Sequence, residues 1–147
     1  MTTLYTIAQM AQITGLSVHT LRYYEQIGLL DPVKRARNGH RRYGEPELRW
    51  IEFVLRLRAT GMPIEHMLEY ARWRRMGNDL QSVSARKTML EQHTRVLEQE
   101  LAQLQDNLTL LQRKIALYGQ MEQQLALDCT ITPHLENPNV SQPIPTR

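Results

Sequence analysis

The chain has 147 residues, enough for one compact domain with an extension but too few for two large cores. Only 6% of residues are aromatic while Leu and Gln abound, which favours a helical assembly over a sandwich; the net charge of +3 is uneven, with 12 Lys and Arg against 7 Asp and Glu in residues 1–78 and 6 against 8 thereafter. One cysteine, Cys129, excludes a disulfide framework within the chain and suits a reducing cytoplasm, and no secretory or membrane-spanning apolar run is visible, so a cytoplasmic protein without a membrane partner is expected.

Thr6-Ile7-Ala8-Gln9 has the form of a capping box, with Thr at the N-cap and Gln three residues on. Ile7, Met10 and Ala11 then recur at helical spacing. Gly15 suits a tight turn, and Ser17 is a good N-cap for a second helix. In that helix Val18 and Leu21 point inward, while His19, Thr20, Arg22 and Tyr23 fall on the outer face. Helix, short turn and helix form a DNA-binding supersecondary motif. On this reading Arg22 reaches a base edge or a phosphate, and a tyrosine hydroxyl donates to a phosphate. Tyr24 is either a second such contact or half-buried core. His19 and Thr20 lie on the first turn, the part that approaches base edges. Ser17 has two readings, a phosphate contact or a simple cap.

Asp31-Pro32 ends this region. Val33 to Tyr43 reads as two short strands around Asn38-Gly39, a two-residue hairpin signal because both positions tolerate positive φ. The hairpin carries Lys34, Arg35, Arg37, Arg41 and Arg42, a density of like charge that calls for an anionic partner. Alternation places Arg35 and Arg37 on one face and Lys34 on the other. Arg41, Arg42 and Tyr43 would lie against flanking backbone or a minor groove.

Pro46 suits the first turn of a third helix, with Glu45 and Glu47 near its positive end and Leu48, Ile51, Val54 and Leu55 as its buried stripe. Gly61 stops it. Pro63 opens a fourth helix with Ile64, Met67, Leu68 and Ala71 inward, ending near Gly77. Arg56, Arg58, Arg72, Arg74 and Arg75 on these helices read equally as outer phosphate contacts or as partners of Glu65 and Glu69.

From about Ser82 to about Leu127 there is no proline. Leu90, Leu97, Leu101, Leu104, Leu108, Leu111, Ile115 and Tyr118 repeat in heptads, with Lys87 and Thr94 on the same seam near its start. A helix roughly 65 Å long at about 1.5 Å per residue has little in its own chain to bury that stripe against, so the expected partner is a second copy. The tail from Asp128 holds four prolines and few large apolar residues, and is expected to be irregular.

The expected architecture is therefore mainly α. Residues 1–77 form a winged helix-turn-helix with a small β-hairpin wing, 78–127 a long coiled-coil dimerisation helix, and 128–147 an irregular tail. The expected DNA contacts are Ser17, His19, Thr20, Arg22, Tyr23, Tyr24, Arg35, Arg37, Arg41, Arg42 and Tyr43. No phosphate loop, HExxH or nucleophile elbow is present, so an enzyme is not expected, and neither a cofactor nor a metal site is. Cys129 and His134 alone make a weak metal pair.

Leu21-Arg22-Tyr23-Tyr24-Glu25, Gly28-Leu29-Leu30 and His40-Arg41-Arg42-Tyr43 together resemble the MerR family of bacterial transcription regulators, over about Tyr5 to Tyr118. The resemblance implies an antiparallel homodimer on a palindromic promoter spacer, distorting it in response to an effector so that RNA polymerase holoenzyme engages both promoter elements. The Trp50-Ile51-Glu52-Phe53 stretch looks like the aldehyde- or thiol-responsive branch, but that branch's cysteine is missing between Trp50 and Gly61. Metal-sensing branches carry a cysteine where this chain has Asp79-Leu80-Gln81-Ser82. The effector is therefore left open. The alternative is an architectural, excisionase-like DNA binder without an effector switch, against which the long helix argues.

Overall fold

The structure, a computed structural model, describes residues 3–131. Five helices follow in order: α1 (Ile7–Thr14), α2 (Val18–Gln26), α3 (Glu45–Ala59), α4 (Ile64–Arg75) and α5 (Leu80–Ile131). The chain divides into two units, residues 1–99 and 100–147, with α5 running through the boundary.

The first unit begins with the expected capping box. Thr6 Oγ1 accepts the Gln9 N–H at 3.2 Å, and Gln9 Oε1 accepts the Thr6 N–H at 2.8 Å. Gly15 ends α1 at a φ of 74°, a left-handed conformation that glycine adopts without steric cost, and its N–H donates to Ala11 at 3.0 Å. Ser17 then caps α2, its Oγ accepting the Thr20 N–H at 3.0 Å. Met10 of α1 and Leu21 of α2 are fully buried, which fixes the angle of one helix on the other.

Trp50 organises the rest of this core. Its Nε1 donates to the Leu29 carbonyl at 2.9 Å, tying the turn after α2 to α3. Its ring stacks on Tyr70 of α4 with centroids 5.9 Å apart, and the Arg74 guanidinium lies 4.4 Å from the ring centre. Asp31 accepts from Arg74 at 3.1 Å and also pairs with Arg75, whose guanidinium bonds the Gly28 carbonyl as well. The expected stripes therefore shift. On α3 the buried residues are Trp50, Ile51, Val54 and Leu57, with Leu48 and Leu55 half-buried; on α4 they are Met67, Tyr70 and Ala71.

The start of α5 completes this unit. Asp79 Oδ1 accepts the Ser82 N–H at 2.8 Å, so the Asp79-to-Ser82 stretch is a helix cap. Ser82 is fully buried and its hydroxyl donates to the Trp73 carbonyl. Met89 and Leu90 pack against the core, and His93 shares a 2.8 Å hydrogen bond with the Thr60 hydroxyl.

The hairpin departs from expectation. Among the described residues there are no strands, only single antiparallel bridges, Tyr5 with Tyr43 and Arg35 with Arg41. The turn spans three residues, Arg37-Asn38-Gly39, rather than two: the Gly39 N–H donates to Ala36 at 2.9 Å and the Ala36 N–H to His40 at 2.8 Å. Only Gly39 takes positive φ, 79°, while Asn38 uses its side chain, Oδ1 accepting the His40 N–H at 3.2 Å. Two arginines directly opposite one another disfavour a longer ladder.

In the second unit α5 continues as one helix. No side chain from Glu100 to Ile131 is buried, and the seam from Leu101 to Tyr118 is 51–70% exposed. The helix runs through Ile131, so Asp128 to Ile131 are helical where an irregular segment was expected. The rest of that tail, residues 132–147, lies outside the described residues.

Candidate nucleic-acid interface

The outer face of α2 carries the first group of candidate residues. His19, Arg22 and Tyr23 are exposed, and so is Ser17 at the cap. The Arg22 side chain forms no ion pair or hydrogen bond among the described residues, so its guanidinium keeps all its donors for an external acceptor. Thr20 is half-buried, its hydroxyl 2.8 Å from Ser17 Oγ.

Tyr24 lies elsewhere. It is 5% exposed, one turn on from Leu21 and on the same inner face, and its hydroxyl accepts from Arg58 at 2.8 Å. Tyr24→Phe should therefore lower the stability of this unit by about 0.5–1.5 kcal/mol, read from urea melts, with DNA affinity unchanged. Lost affinity at unchanged stability would instead put the Tyr24 hydroxyl on the nucleic acid.

The bridged loop supplies the second group. Arg37 and Lys34 are exposed, and Arg42 is half-buried without a side-chain partner among the described residues. Arg35 folds back on the turn, donating to the Gly39 carbonyl at 3.1 Å. Arg41 is committed to Glu25 of α2, Nε to Oε2 at 2.7 Å, with both side chains mostly shielded. That pair joins the loop to the helix beside the exposed Arg22 and neutralises the one acidic group on α2. Sequence spacing alone pointed Arg41 outward; Glu25, sixteen residues earlier, was the signal to weigh.

Tyr43 is 1% exposed, and its hydroxyl has no hydrogen-bond partner among the described residues. Burial pushes its pKa up, and the Glu25 carboxylate pushes the same way; Arg41, Arg22 and Arg35 pull it down. Tyr43 is thus within electrostatic reach of cations on α2 and on the loop, and its backbone pairs with Tyr5 at 2.7 and 2.9 Å. Tyr5 in turn donates to Glu45 Oε1 at 2.7 Å, and this hydrogen bond raises its pKa.

The arginines of α3 and α4 divide. Arg58, Arg74 and Arg75 serve the fold, bound to Tyr24 and Asp31 rather than to Glu65 or Glu69. Arg56 and Arg72 remain exposed. Cys129 is exposed on α5, and no group of three or more His, Cys, Asp or Glu able to hold a metal occurs among the described residues. No helix among them is long and apolar enough to cross a membrane.

A family model for the MerR helix-turn-helix regulatory proteins matches residues 5–72. The transcriptional regulator AdhR of Bacillus subtilis is 43% identical over 93 residues, covering 63% of this chain and 65% of that protein. A helix-turn-helix transcriptional regulator of Haemophilus influenzae is 33% identical over 114 residues, covering 78% of this chain and 83% of its own length. The crystal structure of HiNmlR, a MerR family regulator lacking the sensor domain and bound to promoter DNA, superposes with a TM-score of 0.69 at 32% identity, covering 83% of this chain and 94% of that one.

Proposed function

This chain belongs to the MerR family of DNA-binding transcription regulators, and from that premise we propose that it acts as a homodimer on a palindromic operator within a promoter spacer and distorts that DNA in response to an effector. The observation that carries the reading is the pairing of two features: an exposed basic face on α2 with an adjoining basic loop, and a helix of 52 residues whose apolar seam is bare from Leu101 onward. One reads a half-site; the other joins two readers.

Arg22, Tyr23 and His19 face the major groove from α2, with Ser17 and Thr20 at its first turn. Arg42, Arg37 and Lys34 meet flanking phosphates as the wing. Arg41 and Tyr43 hold that wing at its angle rather than touching DNA through their own tips, and Tyr24 does the same for α2. Two heads bound to one face of a duplex read half-sites whole turns apart, about 34 Å for each turn. Bending the spacer costs of order 1–6 kcal/mol, so an effector must favour the distorting state by a comparable amount. RNA polymerase holoenzyme then engages both promoter elements. The relatives are transcription regulators rather than enzymes, consistent with a binding role.

Salt-titrated binding tests the division of labour. Arg42→Ala should weaken palindromic and scrambled duplexes alike and lower the slope of log affinity against log salt by about one. A loss confined to the palindrome would put Arg42 on a base edge and overturn its role as a phosphate anchor.

A further inference from the structure

The joint between α2 and the basic loop holds one carboxylate among several cations. From Val18 to Gly44 the acids are Glu25 and Asp31, and Asp31 is taken by Arg74 and Arg75 of α4. Glu25 is left to face Arg22, one turn earlier on its own helix, and the five Lys and Arg residues of the loop. Arg22, Arg35 and Arg41 stand with Glu25 within electrostatic reach of Tyr43. Of these cations Glu25 pairs with Arg41, Oε2 to Nε at 2.7 Å, and with neither of the others among the described residues. The two paired side chains are only 16% and 21% exposed, so the contact is better shielded from solvent than a surface ion pair.

We propose that Glu25 sets the specificity of DNA reading by withholding Arg41 from the phosphate backbone. The proposal rests on the DNA-reading role given above to α2 and the loop, and adds what limits the loop's charge. A cation that neutralises a phosphate releases counterions whatever the base sequence, so it strengthens binding to every duplex. A cation already neutralised by a carboxylate does not. The pair also holds the loop in place beside Arg22, and the operator complex depends on that, because base and phosphate contacts there must form together. A scrambled duplex offers no base contacts to align. It therefore gains from a loose cation and loses little from a loose loop.

Arg41 cannot leave for a phosphate without cost. Its departure strands the Glu25 carboxylate, mostly shielded from water, close to a polyanion. Arg42, the next residue, has no side-chain partner among the described residues and stays available to the backbone. The loop thus divides its charge between a cation offered to any duplex and one held back. Specificity is a difference between two affinities, and holding back a sequence-blind contact lowers the competing one. A pair that only braced the loop would differ in sign: weakening it would lower affinity for every duplex. Withholding predicts that scrambled DNA is bound more tightly.

Salt-titrated binding of the full chain to a scrambled duplex and to its footprinted operator tests this. Glu25→Gln keeps the shape of the joint and removes its charge. It should tighten binding to scrambled DNA about tenfold in low salt and steepen the slope of log affinity against log salt by about one for each head bound. Operator affinity should change less than about threefold, so the preference for the operator falls. Glu52→Gln removes the same charge from an exposed position on α3 and should leave the slope as it is. The neutral exchange Glu25→Gln with Arg41→Gln keeps the net charge and should return scrambled affinity and slope to native values. Weaker binding of Glu25→Gln to both duplexes, or an equal gain from Glu52→Gln, overturns the proposal. Should Glu25→Gln fail to fold, the neutral exchange still decides: a slope shallower than native by about one for each head would place Arg41 on a phosphate in the native complex and overturn it equally. A native protein with no preference for any duplex over scrambled DNA overturns instead the sequence-specific reading beneath it.

Discussion

Leu104→Asp should separate the two copies and abolish operator binding while leaving each head folded. Leu104 is 65% exposed, so the described residues of its own copy leave most of it bare. A buried leucine contributes about 1.5–3 kcal/mol, and the dimer loses two of them, or about 3–6 kcal/mol. Two carboxylates placed in an apolar layer add a desolvation cost on top. The dimer dissociation constant should therefore rise at least about 10²- to 10⁴-fold. Sedimentation reads the dissociation and a gel shift the lost operator complex. Helix α5 lies beyond the compact unit at this point, so a urea melt of the head should change little. A variant that is monomeric yet holds the palindrome as tightly as the native protein contradicts the coupling of dimer to operator.

Arg22→Ala should have the second largest effect. Its side chain has no partner among the described residues and stands on the exposed face of α2. A guanidinium bidentate to a guanine edge contributes about 1–3 kcal/mol of discrimination. A dimer reads two half-sites, so the operator complex should weaken by about 2–6 kcal/mol, roughly 30-fold to 10⁴-fold. Scrambled DNA should lose far less, and single-base operator variants should then be told apart poorly. Equal loss on operator and scrambled duplexes, with a shallower salt slope, would make Arg22 a phosphate anchor.

Local signals in the sequence reached a good part of this molecule. The capping box at Thr6, the αL turn at Gly15 and the Ser17 cap are each decided within four residues, and all three form as the spacing predicts. The heptads likewise give a single long helix, because period and absence of proline are local properties. What spacing cannot reach is long-range competition for a side chain. Arg41 looked free along the chain, and Arg58 and Arg74 read as phosphate contacts or as partners of Glu65 and Glu69, yet Glu25, Tyr24 and Asp31 claim them across 16, 34 and 43 residues. Tyr24 and Tyr43 sit beside basic residues in sequence but turn inward, since the small head needs aromatic volume around Leu21 and Trp50. The turn after Ala36 shows the same limit. Asn-Gly signals a reversal correctly, but which loop length forms depends on the opposing Arg35 and Arg41.

On the reading proposed above, this chain reads one palindrome as a dimer. The most direct test is a gel shift and footprint of the native protein, at fixed salt, on DNA upstream of its own and adjacent genes. The expected result is a protected palindrome inside a long promoter spacer, with half-sites a whole number of turns apart and one dimer bound. Uniform weak binding that disappears as salt is added would reduce the basic face to electrostatic attraction and contradict sequence-specific regulation.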